Sequence, residues 1–124
     1  MLDLRSTPTV ASPSLVPDEP LDRAHLSRMT LGDHALEGEV LQLFDRQCRM
    51  LVGRMPDAQP ACVKALAHTI DGSARGVGAW RVATAARNLQ QVVDSGGNIP
   101  SAIGALQSAI DDTLVVVADL LRVR

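Results

Sequence analysis

Apolar residues recur three and four positions apart from Leu21 onward, and no stretch of strict alternation interrupts them. This spacing matches the 3.6-residue turn of an α-helix and not the two-residue repeat of a β-strand. Hydrophobic residues make up 46% of the 124-residue chain, which is enough to bury a core within one domain. The sequence therefore predicts a single all-α domain.

Gly, Pro and N-capping residues delimit five predicted helices, at residues 22–29, 34–54, 61–76, 79–94 and from Pro100 onward. Asp33 is the predicted N-cap of the second helix. Four long helices with short connections pack most simply as an antiparallel four-helix bundle. The short additional N-terminal helix is predicted to lie across one end of this bundle.

The first twenty residues differ in composition from the rest of the chain. They contain four of the seven prolines together with Ser and Thr, and they show no helical or strand period. Residues 1–20 are therefore predicted to form a disordered tail, and residues 21–124 to form the bundle.

Several packing predictions follow from helical spacing. The second helix is predicted to bury Leu36, Val40, Leu43, Phe44, Met50 and Leu51. The valines at 115–117 give the last helix more apolar surface than one stripe needs, so either a partner or a wide core would cover it. Cys48 and Cys62 show no CxxC pattern and are predicted to be reduced thiols that pack as small apolar residues. Trp80 is also expected to pack.

Composition excludes several classes of function. The chain has 12 basic and 14 acidic residues and only 2% aromatic residues, which is a poor match to a nucleic-acid-binding protein. No apolar run is expected to reach the roughly 20 residues of a membrane span, and no secretion signal is evident at the N-terminus. We therefore expect a cytoplasmic protein with neither a nucleic-acid nor a membrane partner.

His68 differs from the other two histidines in its surroundings. With Ile70 as the origin of a helical wheel, His68 lies at about 160°, on the solvent face of the third helix. Gly72 follows one turn later, although a glycine inside a helix costs about 1 kcal/mol relative to alanine. The missing side chain would let another protein approach the imidazole closely. His25 and His34 are predicted to be ordinary surface residues, and none of the three histidines has the spacing of a metal site.

The segment at residues 67–79, AHTIDGSARGVGA, resembles the signature of histidine-containing phosphotransfer (HPt) domains. In that signature an apolar residue follows the His, then usually Lys, then Gly-Ser, and later Gly-Ala after another apolar residue. The resemblance covers most of residues 21–121. Asp71 stands at the position where the family usually has Lys.

The resemblance implies a phosphorelay intermediate. His68 would take a phosphoryl group from the receiver domain of a hybrid sensor kinase and pass it to the receiver domain of a response regulator. A neutral imidazole offers a lone pair for this reaction. The chain has neither a GxxxxGK[ST] nucleotide loop nor an obvious carboxylate cluster for Mg²⁺. We therefore expect a phosphoryl carrier rather than an enzyme, with no cofactor or metal of its own and with Mg²⁺ on the partner receiver domain.

The residues around His68 allow two interpretations. The negative charge of Asp71 is expected to disfavour a phosphoryl group, and Lys64, one turn before His68, would partly offset it. Lys64 and Arg75 either face the phosphate or are solvated charges, and Ser73 is interpreted as a small residue that allows close helix approach. The alternative function is a non-transferring helical adaptor that docks receiver or kinase domains. Asp71 is the reason to consider the adaptor, whereas His68 and Gly72 favour transfer.

Overall fold

A computed structural model describes residues 19–123, so the predicted tail at 1–20 lies almost wholly outside the described residues. The described residues form five α-helices, which are α1 Arg23–Met29, α2 His34–Gly53, α3 Pro60–Val77, α4 Trp80–Ser95 and α5 Ile99–Arg122. These bounds agree with the predicted ones to within one residue. The predicted all-α fold is confirmed.

The helix limits follow from capping chemistry. Asp33 Oδ1 accepts a hydrogen bond from the Leu36 N–H at 3.1 Å, which confirms Asp33 as the N-cap of α2. Asn98 caps α5 in the same way through the Ser101 N–H at 3.0 Å. At the other ends, α3 and α4 terminate at glycines, which adopt the left-handed conformation that a side chain disfavours.

The four long helices form a ring in which each helix packs against its two neighbours. α3 packs against α2 and α4, and α5 packs against α4 and α2, with the short α1 against α3. The largest side chains at the centre of the bundle are fully buried, and they include Leu41, Ile70, Leu89, Leu106 and Ile110. This arrangement is the predicted helical bundle.

The apolar stripe predicted for α2 is partly wrong. Leu36, Leu43 and Met50 are 40%, 59% and 57% exposed, and α2 instead buries Glu37, Leu41, Phe44, Cys48, Leu51 and Val52. Two series of residues with helical spacing run along this helix. Each member of the exposed series, Leu36, Leu43 and Met50, is followed directly by a member of the buried series. Contacts with α3 and α5 decide that the second series faces inward.

The two cysteines have different environments. Cys48 is buried in α2, and desolvation raises the pKa of its thiol to about 12, so it packs as an apolar residue as predicted. Cys62 is exposed on α3, so the prediction that it also packs is wrong.

The last helix is long and apolar enough to cross a membrane by length and composition, and it is the only such helix within residues 19–123. This corrects the expectation that no apolar run reaches that length. A third of its most apolar window is buried, and core helices of bundles meet the same criteria. In the valine run, Val117 belongs to the core and Val115 is 64% exposed.

A hydrogen-bonded corner fixes α1 to the junction between α3 and α4. The Asp22 N–H donates to the Gly78 carbonyl at 2.9 Å, and Trp80 Nε1 donates to Asp22 Oδ2 at 2.9 Å. The Trp80 hydrogen bond and the His25 N–H lower the pKa of Asp22. The His25 ring packs edge-on against the Trp80 ring, with 4.9 Å between the two ring centroids. His25 is half-buried, so the prediction that it is a surface residue is wrong. Trp80 packs as predicted.

Gly78 at this corner should tolerate no side chain without a loss of stability. Its φ is +87°, and a Cβ built there would lie 2.8 Å from the Asp22 carbonyl oxygen, which belongs to the backbone and cannot easily move. We expect Gly78→Ala to lower the free energy of unfolding by about 2–4 kcal/mol, since left-handed strain and the clash add. Urea denaturation followed by circular dichroism measures this loss.

Gly96→Ala is the matched control for Gly78→Ala. Gly96 also ends a helix at a positive φ of +75°, but a Cβ there would meet nothing within 4 Å. This variant should therefore show only the conformational part of the loss, about 1–2 kcal/mol. Equal losses in the two variants would show that the contact with Asp22 has no effect on stability.

Candidate functional site

His68 lies in the middle of α3, on the outer surface of the bundle. Its side chain is exposed, as the helical wheel predicts. Gly72, one turn later, is exposed as well, and a Cβ built there would meet nothing within 4 Å. The opposite side of α3 buries Val63, Ile70 and Ala74 in the core, so the backbone that carries the imidazole is held firmly. An accessible nucleophile thus stands on a rigid helix beside an open surface.

Asp71 is buried, and arginines surround its carboxylate. Its side chain is 7% exposed and accepts hydrogen bonds from Arg75 Nε at 2.9 Å and Arg75 Nη2 at 3.0 Å. Arg87 of α4 brings its Nη2 to 3.8 Å from the same carboxylate. The Arg75 hydrogen bonds lower the pKa of Asp71 more than burial raises it, so the carboxylate is ionised at neutral pH.

Lys64 forms an ion pair across the same pair of helices. Its Nζ lies 2.7 Å from Asp94 Oδ1, and both side chains are substantially exposed. The sequence treats Lys64 and Asp71 as opposite charges that act on a phosphoryl group directly. The structure corrects this interpretation, because Lys64 is paired with Asp94 and Asp71 is paired with arginines. An exposed pair such as Lys64–Asp94 adds little to stability, since solvent screens it.

The two ion pairs lie on either side of His68 along the α3–α4 interface. Residues 64 and 71 are two turns apart on α3, or about 10.5 Å, and His68 lies between them. Their partners on α4, residues 87 and 94, have the same spacing in the antiparallel direction. Sequence reasoning missed Arg87 and Asp94. The equal seven-residue spacing of complementary charges on neighbouring helices was the signal that could have found them.

The remaining candidate residues, Ser73 and His34, take no part in these two ion pairs. Ser73 is half-buried, whereas His34, at the first turn of α2, is exposed as predicted. Within residues 19–123, no group of three His, Cys, Asp or Glu side chains lies close enough to bind a metal ion.

Comparison with known proteins agrees with the helical bundle. The model of the Hpt domain family matches residues 39–121, which is about two-thirds of the chain and includes His68. The chain belongs to the Hpt family. Proteins of this family are phosphotransfer carriers of phosphorelays and not kinases.

This Hpt chain also resembles a solved structure in fold. The X-ray structure of a putative histidine-containing phosphotransfer protein from rice superimposes with a TM-score of 0.74 and 17% sequence identity. The match covers 88% of this chain and 84% of the rice chain. At this identity the comparison concerns the fold alone. A search of curated proteins finds no match.

Proposed function

We propose that His68 carries a phosphoryl group between receiver-domain aspartates in a cytoplasmic relay, from a hybrid sensor kinase to a response regulator. One observation supports this assignment above all others. Within the residues matched by the Hpt model, His68 is an exposed imidazole on a firmly packed helix, next to the open surface at Gly72. Transfer requires the reacting atoms to approach to about 3–3.5 Å, so a nucleophile that meets an aspartate of another protein must project from an uncrowded surface.

The proposed reaction needs little from this chain beyond the nucleophile. The lone pair of a ring nitrogen of His68 attacks the phosphorus of the aspartyl phosphate. A P–N bond forms as the P–O bond breaks, and the partner's aspartate leaves as a carboxylate. The second transfer reverses these bonds on the next receiver. Mg²⁺ bound to the receiver would neutralise the negative charge of the phosphoryl group, while α3 holds the His68 imidazole in position.

Exposed apolar residues of α2 offer a docking surface beside this histidine. The flank of α2 next to α5 carries Arg49, which interacts electrostatically with Asp111 of α5. Leu36, Leu43 and Met50 lie about 100–140° from Arg49 on the wheel, at the opposite edge of the buried stripe and therefore toward α3. Exposed apolar side chains in a row at seven-residue spacing are typical of a protein-binding face.

Small residues connect the apolar row of α2 to the histidine. On the wheel of α3, Ala65, Gly72 and Gly76 lie at about 200–240°, between His68 and the flank that faces α2. All three are exposed, and a Cβ at either glycine would meet nothing within 4 Å. A partner could therefore contact α2 and reach the imidazole without a steric barrier in between.

The docking surface predicts a large effect of Leu43→Asp. A charge in the centre of an apolar interface should cost about 1–3 kcal/mol of binding, or roughly 5- to 150-fold in the rate of transfer from a phosphorylated receiver at low concentration. Val115→Asp is the matched control, because Val115 is similarly exposed but lies on α5. Transfer kinetics with both variants check this prediction, and equal rates for Leu43→Asp and wild type would contradict it.

The proposed function is tested by incubation with ³²P-labelled receiver domains. Label should pass to this protein and be stable in base and labile in acid, as expected for a phosphoramidate and not for a phosphoester. The adaptor alternative predicts stable binding of the receiver without any transfer of label. Failure of label to appear from any phosphorylated receiver or small phosphodonor would overturn the carrier function.

A further inference from the structure

The charges beside His68 do not cancel. Asp71 meets two guanidinium groups, Arg75 and Arg87, so this group of three carries a net charge of +1. The pair of Lys64 and Asp94 on the other side of the histidine is neutral. The excess positive charge near His68 therefore comes from the two guanidinium groups around the buried Asp71 carboxylate.

The two arginines contact Asp71 in different ways. Arg75 is held by two hydrogen bonds in a side-by-side arrangement, which uses its Nε and Nη2. Arg87 lies at 3.8 Å, which is beyond hydrogen-bond distance, and its side chain is 51% exposed. Arg75 thus neutralises the carboxylate. Arg87 is attracted to the same place, but its N–H groups are not bonded to Asp71.

We propose that Arg87 contacts the phosphoryl group on His68 and that Asp71 is a positioning residue that holds Arg87 near it. This inference rests on the proposed function, because it assigns the residue that binds the transferred group. Asp71 follows His68 by three residues, so their Cβ atoms lie about 5–6 Å apart on neighbouring turns. Arg87 approaches Asp71 from α4, and its Nη2 lies 3.8 Å from a carboxylate that is one turn from His68.

The chemistry of the guanidinium suits this role. A phosphoryl group on a ring nitrogen presents three oxygens and a charge close to −2, and a guanidinium can donate two parallel N–H bonds to it. The cations of α3 near the site are Lys64 and Arg75, and each has a short contact with a carboxylate, Asp94 and Asp71 respectively. The inference also explains an aspartate one turn from a phosphorylated histidine, because this aspartate attracts the cation to the site.

The titration of the phosphoryl group tests the inference directly. The wild-type chain is phosphorylated with phosphoramidate, and the ³¹P NMR shift of phospho-His68 is followed against pH. A contacting cation favours the dianion and lowers the pKa of the phosphoryl group. We expect Arg87→Gln to raise that pKa by about 0.5–1 unit and Arg87→Lys to restore most of the difference. Loss of a purely structural contact would not move this pKa.

Arg49→Gln is the matched control, because Arg49 is also an exposed arginine paired with an aspartate, in this case Asp45 of the same helix α2. Arg49→Gln should leave the pKa of the phosphoryl group unchanged. A shift as large as that of Arg87→Gln would show that the loss of any positive charge has this effect, and it would overturn the inference. The positioning role of Asp71 is tested with a double-mutant cycle. In an Asp71→Asn background the Arg87→Gln shift should fall below half its wild-type size. A shift of equal or greater size would overturn the role of Asp71.

The outcomes separate this inference from the proposed function. If phosphoramidate and phosphorylated receivers all fail to label His68, the proposed function fails and the inference fails with it. If His68 is labelled but wild type and Arg87→Gln titrate alike, only the inference is rejected. Circular dichroism of each variant shows whether the bundle is intact, and Arg87→Lys provides a second test if Arg87→Gln unfolds.

Discussion

Replacement of His68 with alanine should abolish phosphorylation by both receivers and small donors, with residual label less than about 1% of wild type. The reason is that no other group occupies the same place: His25 is half-buried against Trp80, and His34 is at the start of α2. The free energy of unfolding should change by no more than about 0.5 kcal/mol, because the replaced side chain is exposed. Label transfer and urea denaturation of the same preparation measure the two effects.

His34→Ala is the control for this prediction, since it also removes an exposed imidazole from a helix of the bundle. It should transfer phosphate at the wild-type rate. Acid-labile label that persists in His68→Ala and disappears in His34→Ala would reassign the site to His34.

Gly72→Leu should nearly stop transfer from a receiver while it leaves the protein folded and more stable. A Cβ at this position meets nothing within 4 Å, so the larger side chain projects outward without a clash in the free protein. Replacement of glycine inside a helix contributes about 0.5–1 kcal/mol of stability. In the proposed complex, however, the leucine would separate the reacting atoms, which must approach to about 3–3.5 Å. We expect transfer to slow by at least about 100-fold, with a smaller loss for Gly72→Ala.

Reaction with phosphoramidate separates docking from chemistry in the Gly72 variants. A small donor needs no docking surface, so Gly72→Leu should react with it at a rate within a few-fold of wild type. Gly104→Leu provides a control, because Gly104 is an equally open glycine inside a helix but lies on α5. Receiver transfer at the wild-type rate by a folded Gly72→Leu protein would show that no partner approaches at this glycine.

The helices and their limits could be predicted from the sequence because each depends on neighbouring residues alone. Asp33 caps α2 by accepting from an N–H three residues away, and Gly96 ends α4 through its own backbone conformation. The exposure of His68 could also be predicted, because one helix has one strongly apolar side and His68 lies far from it. Local information is sufficient where a single pattern exists.

Where two patterns compete, local information fails. α2 has two apolar series in adjacent registers, and the prediction mixed Leu43 of the exposed series with Phe44 of the buried one. His25 shows the same limit, because only the approach of Trp80, 55 positions further along the chain, turns a surface residue into a packed one. In both cases the deciding contact comes from another helix.

The sequence by itself determined the helical class, the number and bounds of the helices, and the exposed histidine beside a glycine, because periodicity and capping act over a few residues. Only the tertiary structure decided the electrostatics of the site. Asp71 pairs with Arg75 within α3, but it becomes a buried carboxylate with a second arginine nearby only when α4 packs alongside and brings Arg87 to it. Charge interactions depend on distance through space, and the distance between residues 71 and 87 is set only when the helices pack.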